Sequence, residues 1–217
     1  MTNRHCNQSQ ESLSIQFSQN STARVKECML VSASPVLAKV KPAVLVSLSH
    51  ECRKEWAKHE NQLYMYTGLR ALTLNRSSKS YSLLLYSPSL LSEKLDEPDA
   101  RSLLDSLGYP SSENLGILLS HLRKRYSFLN IELSSENPFP HEIGLFLGYP
   151  YNDVNSFIIN RGKKYKLCKY WKVYHNEEAA VKTFDCIDKA KKYAAMLITK
   201  QIPIHLAGKM LTELHIS

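Results

Sequence analysis

Tyr81-Ser82-Leu83-Leu84-Leu85-Tyr86 decides the fold class of this chain. Three consecutive leucines between two tyrosines, bounded by a polar turn before and Ser87-Pro88 after, read as the clearest strand in the chain. A second run of the same kind, Ala43-Val44-Leu45-Val46-Ser47-Leu48, follows Lys41-Pro42 and ends at Ser-His. Between them, Leu63 to Leu74 alternates through Leu63, Met65, Thr67, Leu69, Ala71 and Thr73. Asn75 to Lys79 is turn-like, so this segment and Tyr81–Tyr86 are expected to form a hairpin.

Outward from these strands the pattern is helical. Val25, Met29, Leu30 and Ala33 suit a helix over 23–37, with Pro35 expected to interrupt it and Ser34 to cap a short second piece. Glu51 to Gln62 reads as a polar helix anchored by Trp56. Leu90, Leu91 and Leu95, then Ala100, Leu103, Leu104 and Leu107, describe two helices separated by Asp96-Glu97-Pro98. Gly108-Tyr109-Pro110 ends the second, and Ser111 or Ser112 is expected to cap a third with the stripe Leu115, Leu118, Leu119, Leu122. That helix closes on Arg123-Lys124-Arg125, cations favoured at a helix C-terminus. His141 to Leu147 is a short apolar helix ended by a second Gly-Tyr-Pro, and Asn152 or Asp153 is expected to cap Val154–Ile159. Tyr165–Tyr174 reads as one strand. Glu177–Thr199 is a long amphipathic helix with Ala180, Phe184, Ile187, Ala190, Ala194 and Leu197 inward. The tail from Ile202 is a short helix or strand. These elements predict an α+β fold, a small mixed sheet packed against a majority of helices, with residues 1–22 as a polar arm and 23–217 as a single domain.

Composition bounds the function. The 217 residues, 43% apolar and 22% charged, can bury a core without disulfides or metal. No segment approaches the roughly 18 consecutive apolar residues of a membrane span, and Met1–Gln19 lacks the apolar stretch of a secretory signal. A cytoplasmic protein is expected. Five cysteines, an odd number without a C-x-x-C pair, argue against a disulfide framework and a structural zinc site. The net charge of +8 permits attraction to an anionic small molecule or nucleic acid, and no membrane partner is expected.

The chemistry-bearing residues cluster between Pro138 and Tyr174. His141 and Glu142 follow Pro138-Phe139-Pro140, at a predicted helix start where a carboxylate is stabilised and a histidine polarised. They are the candidates for acid/base work or half a metal site; the structural alternative is a plain helix start. Leu145 stands four after His141, so the H-E-x-x-H zinc spacing fails and no metal ligand set is assigned. Neither a phosphate loop nor a dinucleotide fingerprint is present, and no cofactor is identified. Arg161 to Lys172 holds six cations and no acid. On a strand, Lys164, Lys166, Tyr170 and Lys172 would share one face, and Tyr165, Leu167, Lys169, Trp171 and Val173 the other. Such a basic aromatic strand suits phosphates and stacked bases; the structural alternative is a solvated face beside a core tryptophan.

Pro140-His141-Glu142-Ile143-Gly144-Leu145-Phe146-Leu147-Gly148-Tyr149-Pro150, followed by Asp153-Val154, Phe157-Ile158, Gly162-Lys163, Tyr165-Lys166-Leu167-Cys168 and Tyr170-Trp171-Lys172-Val173-Tyr174, resembles the signature of the domain-of-unknown-function 3793 family of anaerobic Gram-positive bacteria. The resemblance extends upstream to Pro35–Ala43 and downstream to Phe184, covering about residues 28 to 200. It departs at Ala33, where the family usually has Cys, and at Lys169, where it has Gly before the Tyr-Trp pair. It implies a bacterial protein and no particular activity. The leading expectation is a binding or regulatory module for an anionic ligand, with Tyr149, Lys166, Tyr170, Trp171 and Lys172 as ligand-binding residues. One alternative is an enzyme using His141 and Glu142 as acid/base or metal-binding groups. The other is a nucleic-acid binder through residues 161–172.

Overall fold

The computed structural model describes residues 21–76, 80–127 and 139–216. The polar arm up to residue 20, the tip of the turn at 77–79 and the loop before Phe139 lie outside the described residues. Helix α1 (Ser21–Leu37) leads to β1 (Ala43–Ser49), α2 (His50–Ala57) and α3 (Glu60–Thr67). Strands β2 (Arg70–Arg76) and β3 (Ser80–Tyr86) follow, then α4 (Pro88–Leu95), α5 (Pro98–Ser106), α6 (Leu115–Ser127), α7 (Ile143–Phe146) and α8 (Tyr151–Ile159). The chain finishes with β4 (Leu167–Cys168), β5 (Lys172–Val173), α9 (Glu177–Thr199) and α10 (Ile204–Thr212). The architecture is α+β.

The main sheet has the order β1-β3-β2, and β3 is antiparallel to both neighbours. The mixed sheet expected from the sequence is therefore an antiparallel one. Helices α2 and α3 carry the chain between β1 and β2, which run in the same direction, and the hairpin return sends β3 into the gap. Alternation along β3 then explains its unbroken leucines. Leu83 and Leu85 enter one core with Val46 and Leu48, under α1, α2, α3, α9 and α10. Leu84 enters a second core with Ala43 and Leu74, under α4 to α8. Each fully buried leucine contributes about 1.5–3 kcal/mol through area removed from water. A third, smaller cluster joins Trp171 and Val173 to Ala180, Phe184 and Ile187 of α9.

Several expectations are corrected. Pro35 does not interrupt α1, which runs through it to Leu37. Its missing N–H would leave the Val31 carbonyl unserved, and the Ser34 hydroxyl donates to that carbonyl at 2.9 Å instead. Leu63 to Thr67 is helix, not strand. Leu63 and Thr67, four apart, both face Gly208 of α10, whose added Cβ would come within 2.8 and 2.9 Å of them. Met65, which a strand would bury beside Leu63, is 73% exposed. At the start of α6 the cap is Asn114, whose Oδ1 accepts from the Gly116 N–H at 2.9 Å, in place of Ser111 or Ser112. Finally, 165–174 is not one strand: the chain reverses between β4 and β5, pairing Leu167 with Val173 and Cys168 with Lys172. The long helix α9 occupies the predicted span and buries the six residues expected of it.

Candidate functional site

The turn after α1 and the β4-β5 hairpin meet at Tyr149. Lys39 adopts the left-handed conformation (φ 58°), ending α1, and the N–H groups of Val40 and Lys41 both donate to the Pro35 carbonyl at 2.9 and 3.0 Å. On the other side of Lys41, the Pro42 carbonyl accepts from Ser87 N–H at 2.9 Å. The backbone of Lys41 is therefore held from both directions. Close by, Gly148 (φ 77°) lies against Pro42 so tightly that a Cβ would stand 2.3 Å from Pro42 Cδ. That contact brings Tyr149 under Lys41, whose Nζ sits 4.9 Å from the ring centroid.

Tyr149 stacks on Trp171 at 5.1 Å, and its hydroxyl donates to the Tyr170 carbonyl at 3.1 Å. Burial pushes that hydroxyl up to about 12. Trp171 also makes an edge contact with Phe184, ring centroids 4.5 Å apart. Tyr170 carries Lys191 of α9 over its ring at 4.4 Å and donates its hydroxyl to Asp188 at 2.5 Å. Lys169 pairs with the same carboxylate at 2.7 Å. Burial works against the Asp188 charge, yet the hydrogen bonds from Lys169 and Tyr170 and the nearby ammonium groups hold its carboxyl below the usual range.

The result is a cationic aromatic cluster. Lys169 and Lys191 share a nearby carboxylate, Asp188, which is engaged by Lys169 and Tyr170. Lys41 is only 9% exposed, and among the described residues it forms no ion pair with a carboxylate. Burial, with Lys191 adding repulsion, brings its ammonium down to about 7. Lys191 is lowered too, first by burial, with Asp188 offsetting and Lys169 reinforcing the shift. An open cleft of about 240 Å³ borders this turn, lined by Lys39, Lys41 and Gly148 on one side and by Glu93 and Lys94 of α4 and Glu97 at the start of α5 on the other.

The sequence-predicted residues divide between this cluster and its surroundings. Tyr149, Tyr170 and Trp171 are brought together in it. Lys166 is exposed and pairs with Glu177 at 3.4 Å. Lys172 turns inward to donate to the Gly162 carbonyl at 2.9 Å and lies over the Tyr165 ring at 4.9 Å. The hairpin thus separates the lysines that a continuous strand would have aligned.

His141 and Glu142 do not form a pair. Glu142 is 2% exposed, and its Oε1 accepts from Arg125 Nε at 2.5 Å and from the Tyr109 hydroxyl at 3.0 Å, joining α6, the turn after α5 and α7. Burial, then the adjacent Glu142 charge, pushes the Tyr109 hydroxyl far above its ordinary range. His141 points outward, between Phe139 and Phe157 with ring centroids at 5.3 and 5.0 Å. This partial desolvation lowers its pKa, with Glu142 offsetting some of the shift. Among the described residues no three His, Cys, Asp or Glu side chains converge as a metal-holding group.

Two residues of this region escaped sequence reasoning. Asp153, read as a possible cap, instead accepts from Trp171 Nε1 at 2.8 Å and from the Tyr174 and His175 N–H groups at 2.8 and 2.9 Å. It is the buried clasp that fixes Trp171. Lys41 was read only as the start of a strand; the one signal that could have flagged it is a lysine wedged between two apolar runs, where a solvated cation has no place.

Fold and cluster together define an α+β protein with a lysine- and tyrosine-rich site between a helix end and a small hairpin. The family described as protein of unknown function (DUF3793) matches residues 29–206, and the chain belongs to it. No curated protein and no solved structure matches the chain. Among the described residues no helix is long and apolar enough to cross a membrane.

Proposed function

We propose that this protein is a binding module for a small anionic molecule, received beside Lys41, Lys191, Tyr149 and Tyr170. One observation carries the reading: a nearly buried lysine, Lys41, has a second lysine near it and no ion pair with a carboxylate among the described residues. An unpaired buried charge costs several kcal/mol, and a bound anion recovers that cost. The aromatic rings beneath the two ammonium groups hold them in place without neutralising them. The cytoplasmic setting expected from the composition belongs to the same proposal.

The two other readings have less support. A nucleic-acid groove needs aromatic faces for bases to stack on, whereas Trp171 is buried, stacked on Tyr149 and in edge contact with Phe184. Acid/base chemistry at His141 and Glu142 needs the two groups on one side, whereas Glu142 is turned into the core toward Arg125.

Thermal unfolding followed with phosphate, sulfate, lactate and citrate tests the proposal. At least one anion is expected to raise the unfolding temperature, by a larger margin at pH 6 than at pH 9, because Lys41 is charged below about 7. Lys41→Met is expected to abolish the shift. No stabilisation by any of these anions, or an equal one in Lys41→Met, overturns the reading.

A further inference from the structure

We infer that Lys41 is a carbonyl-reactive amine, poised to form an imine with a small 2-oxo acid. The inference rests on the reading of its surroundings as an anion site and adds what the amine itself does there. A nucleophilic lysine needs three things: a neutral nitrogen at working pH, a fixed position, and a neighbour for the substrate's charge.

The turn supplies each from a different element. Lys41 is only 9% exposed, and desolvation in the fold with repulsion from Lys191 favours the neutral amine, so a larger fraction of it is reactive at pH 7 than of an exposed lysine. The Pro35 and Pro42 carbonyl hydrogen bonds clamp its backbone, and the Tyr149 ring lies beneath its Nζ. Lys191, from α9, held 4.4 Å from the Tyr170 ring centroid and felt electrostatically at Lys41, is the partner assigned to the substrate carboxylate. The other charged groups about the turn are Lys39, on the same turn, and Glu93, Lys94 and Glu97 across the cleft, where Lys94 is paired with Glu97 at 2.7 Å.

The step balances without a co-reactant. The Lys41 nitrogen lone pair attacks the carbonyl carbon, and the carbonyl oxygen takes up a proton to give a carbinolamine. Loss of that hydroxyl with a proton from nitrogen releases one water and leaves the C=N bond.

Pyruvate with cyanoborohydride, applied to the full chain, tests this, with lactate as the isosteric acid that cannot form an imine. Peptide mapping is expected to find the reduced adduct on Lys41 at an initial rate at least about tenfold above that on exposed Lys39 or Lys163. The rate should rise through a midpoint near pH 7 and fall when lactate is present. Lys41→Arg, which keeps the charge, should still be stabilised by lactate while losing the adduct. Lactate stabilisation with no preferential adduct on Lys41 overturns the imine and leaves the anion site standing. An adduct spread over lysines according to exposure, with no effect of lactate on either labelling or stability, overturns both.

Discussion

Adjacent residues in a turn can belong to different environments, and His141 and Glu142 do. Their adjacency in the sequence suggested a functional pair, but the short helix that follows directs one side chain outward and the other into the ion pair with Arg125. The two truncations should therefore separate. Glu142→Ala strands the Arg125 guanidinium and the buried Tyr109 hydroxyl and is expected to cost about 2–3 kcal/mol, discounted because Arg125 is about one-third exposed. His141→Ala should cost less than about 1 kcal/mol. Urea unfolding of both variants measures the difference; equal losses would mean that the pair acts together after all. Asp153 shows the same limit of local reading. Its position suggested a cap, while its partners Trp171, Tyr174 and His175 lie about twenty residues away, where only the folded chain brings them.

Elements were legible where periodicity and punctuation agreed. Helix α9 has an acidic first turn, an Asn176 cap and a regular apolar stripe, so its span and inward face followed from spacing alone. Helix α3 failed because five residues fit both a strand and a helix, and the close approach of Gly208 decided between them. The β4-β5 hairpin failed for a related reason: alternation in a basic segment says nothing of where the chain reverses, and without the reversal Tyr170 and Trp171 could not both pack on Phe184. The repeated Gly-Tyr-Pro illustrates the point. Both glycines have positive φ and end helices, but a Cβ at Gly108 would meet open space while one at Gly148 would strike Pro42. Gly148→Ala is thus expected to lose about 3 kcal/mol, from backbone strain plus overpacking, and Gly108→Ala about 1 kcal/mol. Thermal or urea unfolding of the two variants should rank them in that order, and Gly148→Ala should also weaken anion stabilisation by displacing Tyr149.

At the scale of the molecule, β3 is shared by the two larger cores. We propose that residues 23–217 form one folding unit, so urea unfolding should give a single transition by both tryptophan fluorescence and circular dichroism; two separated transitions would overturn that. Lys41 adds a pH dependence. Its folded pKa, about 7, lies below its ordinary value of 10.5, so between those limits the unfolded chain binds the extra proton. Stability contributed by this group is therefore lowest below about pH 7 and rises toward pH 10, by at most about 1.4 kcal/mol per pH unit. Lys41→Met should lose that slope and be more stable than the parent at pH 6. A slope unchanged in the variant would show that Lys41 is not the titrating group. A bound anion should flatten the slope in the parent, because it favours the charged amine.

The sequence by itself determined the α+β class, the strands at Ala43 and Tyr81, the long helix α9 and the membership signalled around Pro140–Tyr174. Those properties are local: hydrophobic period, helix ends and turn chemistry act over a few residues and can be read in order. Only the tertiary structure decided which polar side chains are spent and which are free. Glu142, Asp153 and Lys172 are committed to partners far along the chain, whereas Lys41, outwardly a residue before a strand, is enclosed beside Tyr149 and Lys191 with no ion-pair partner among the described residues. Burial and electrostatic pairing depend on distance in space, and the spacing of residues along the chain does not carry that distance.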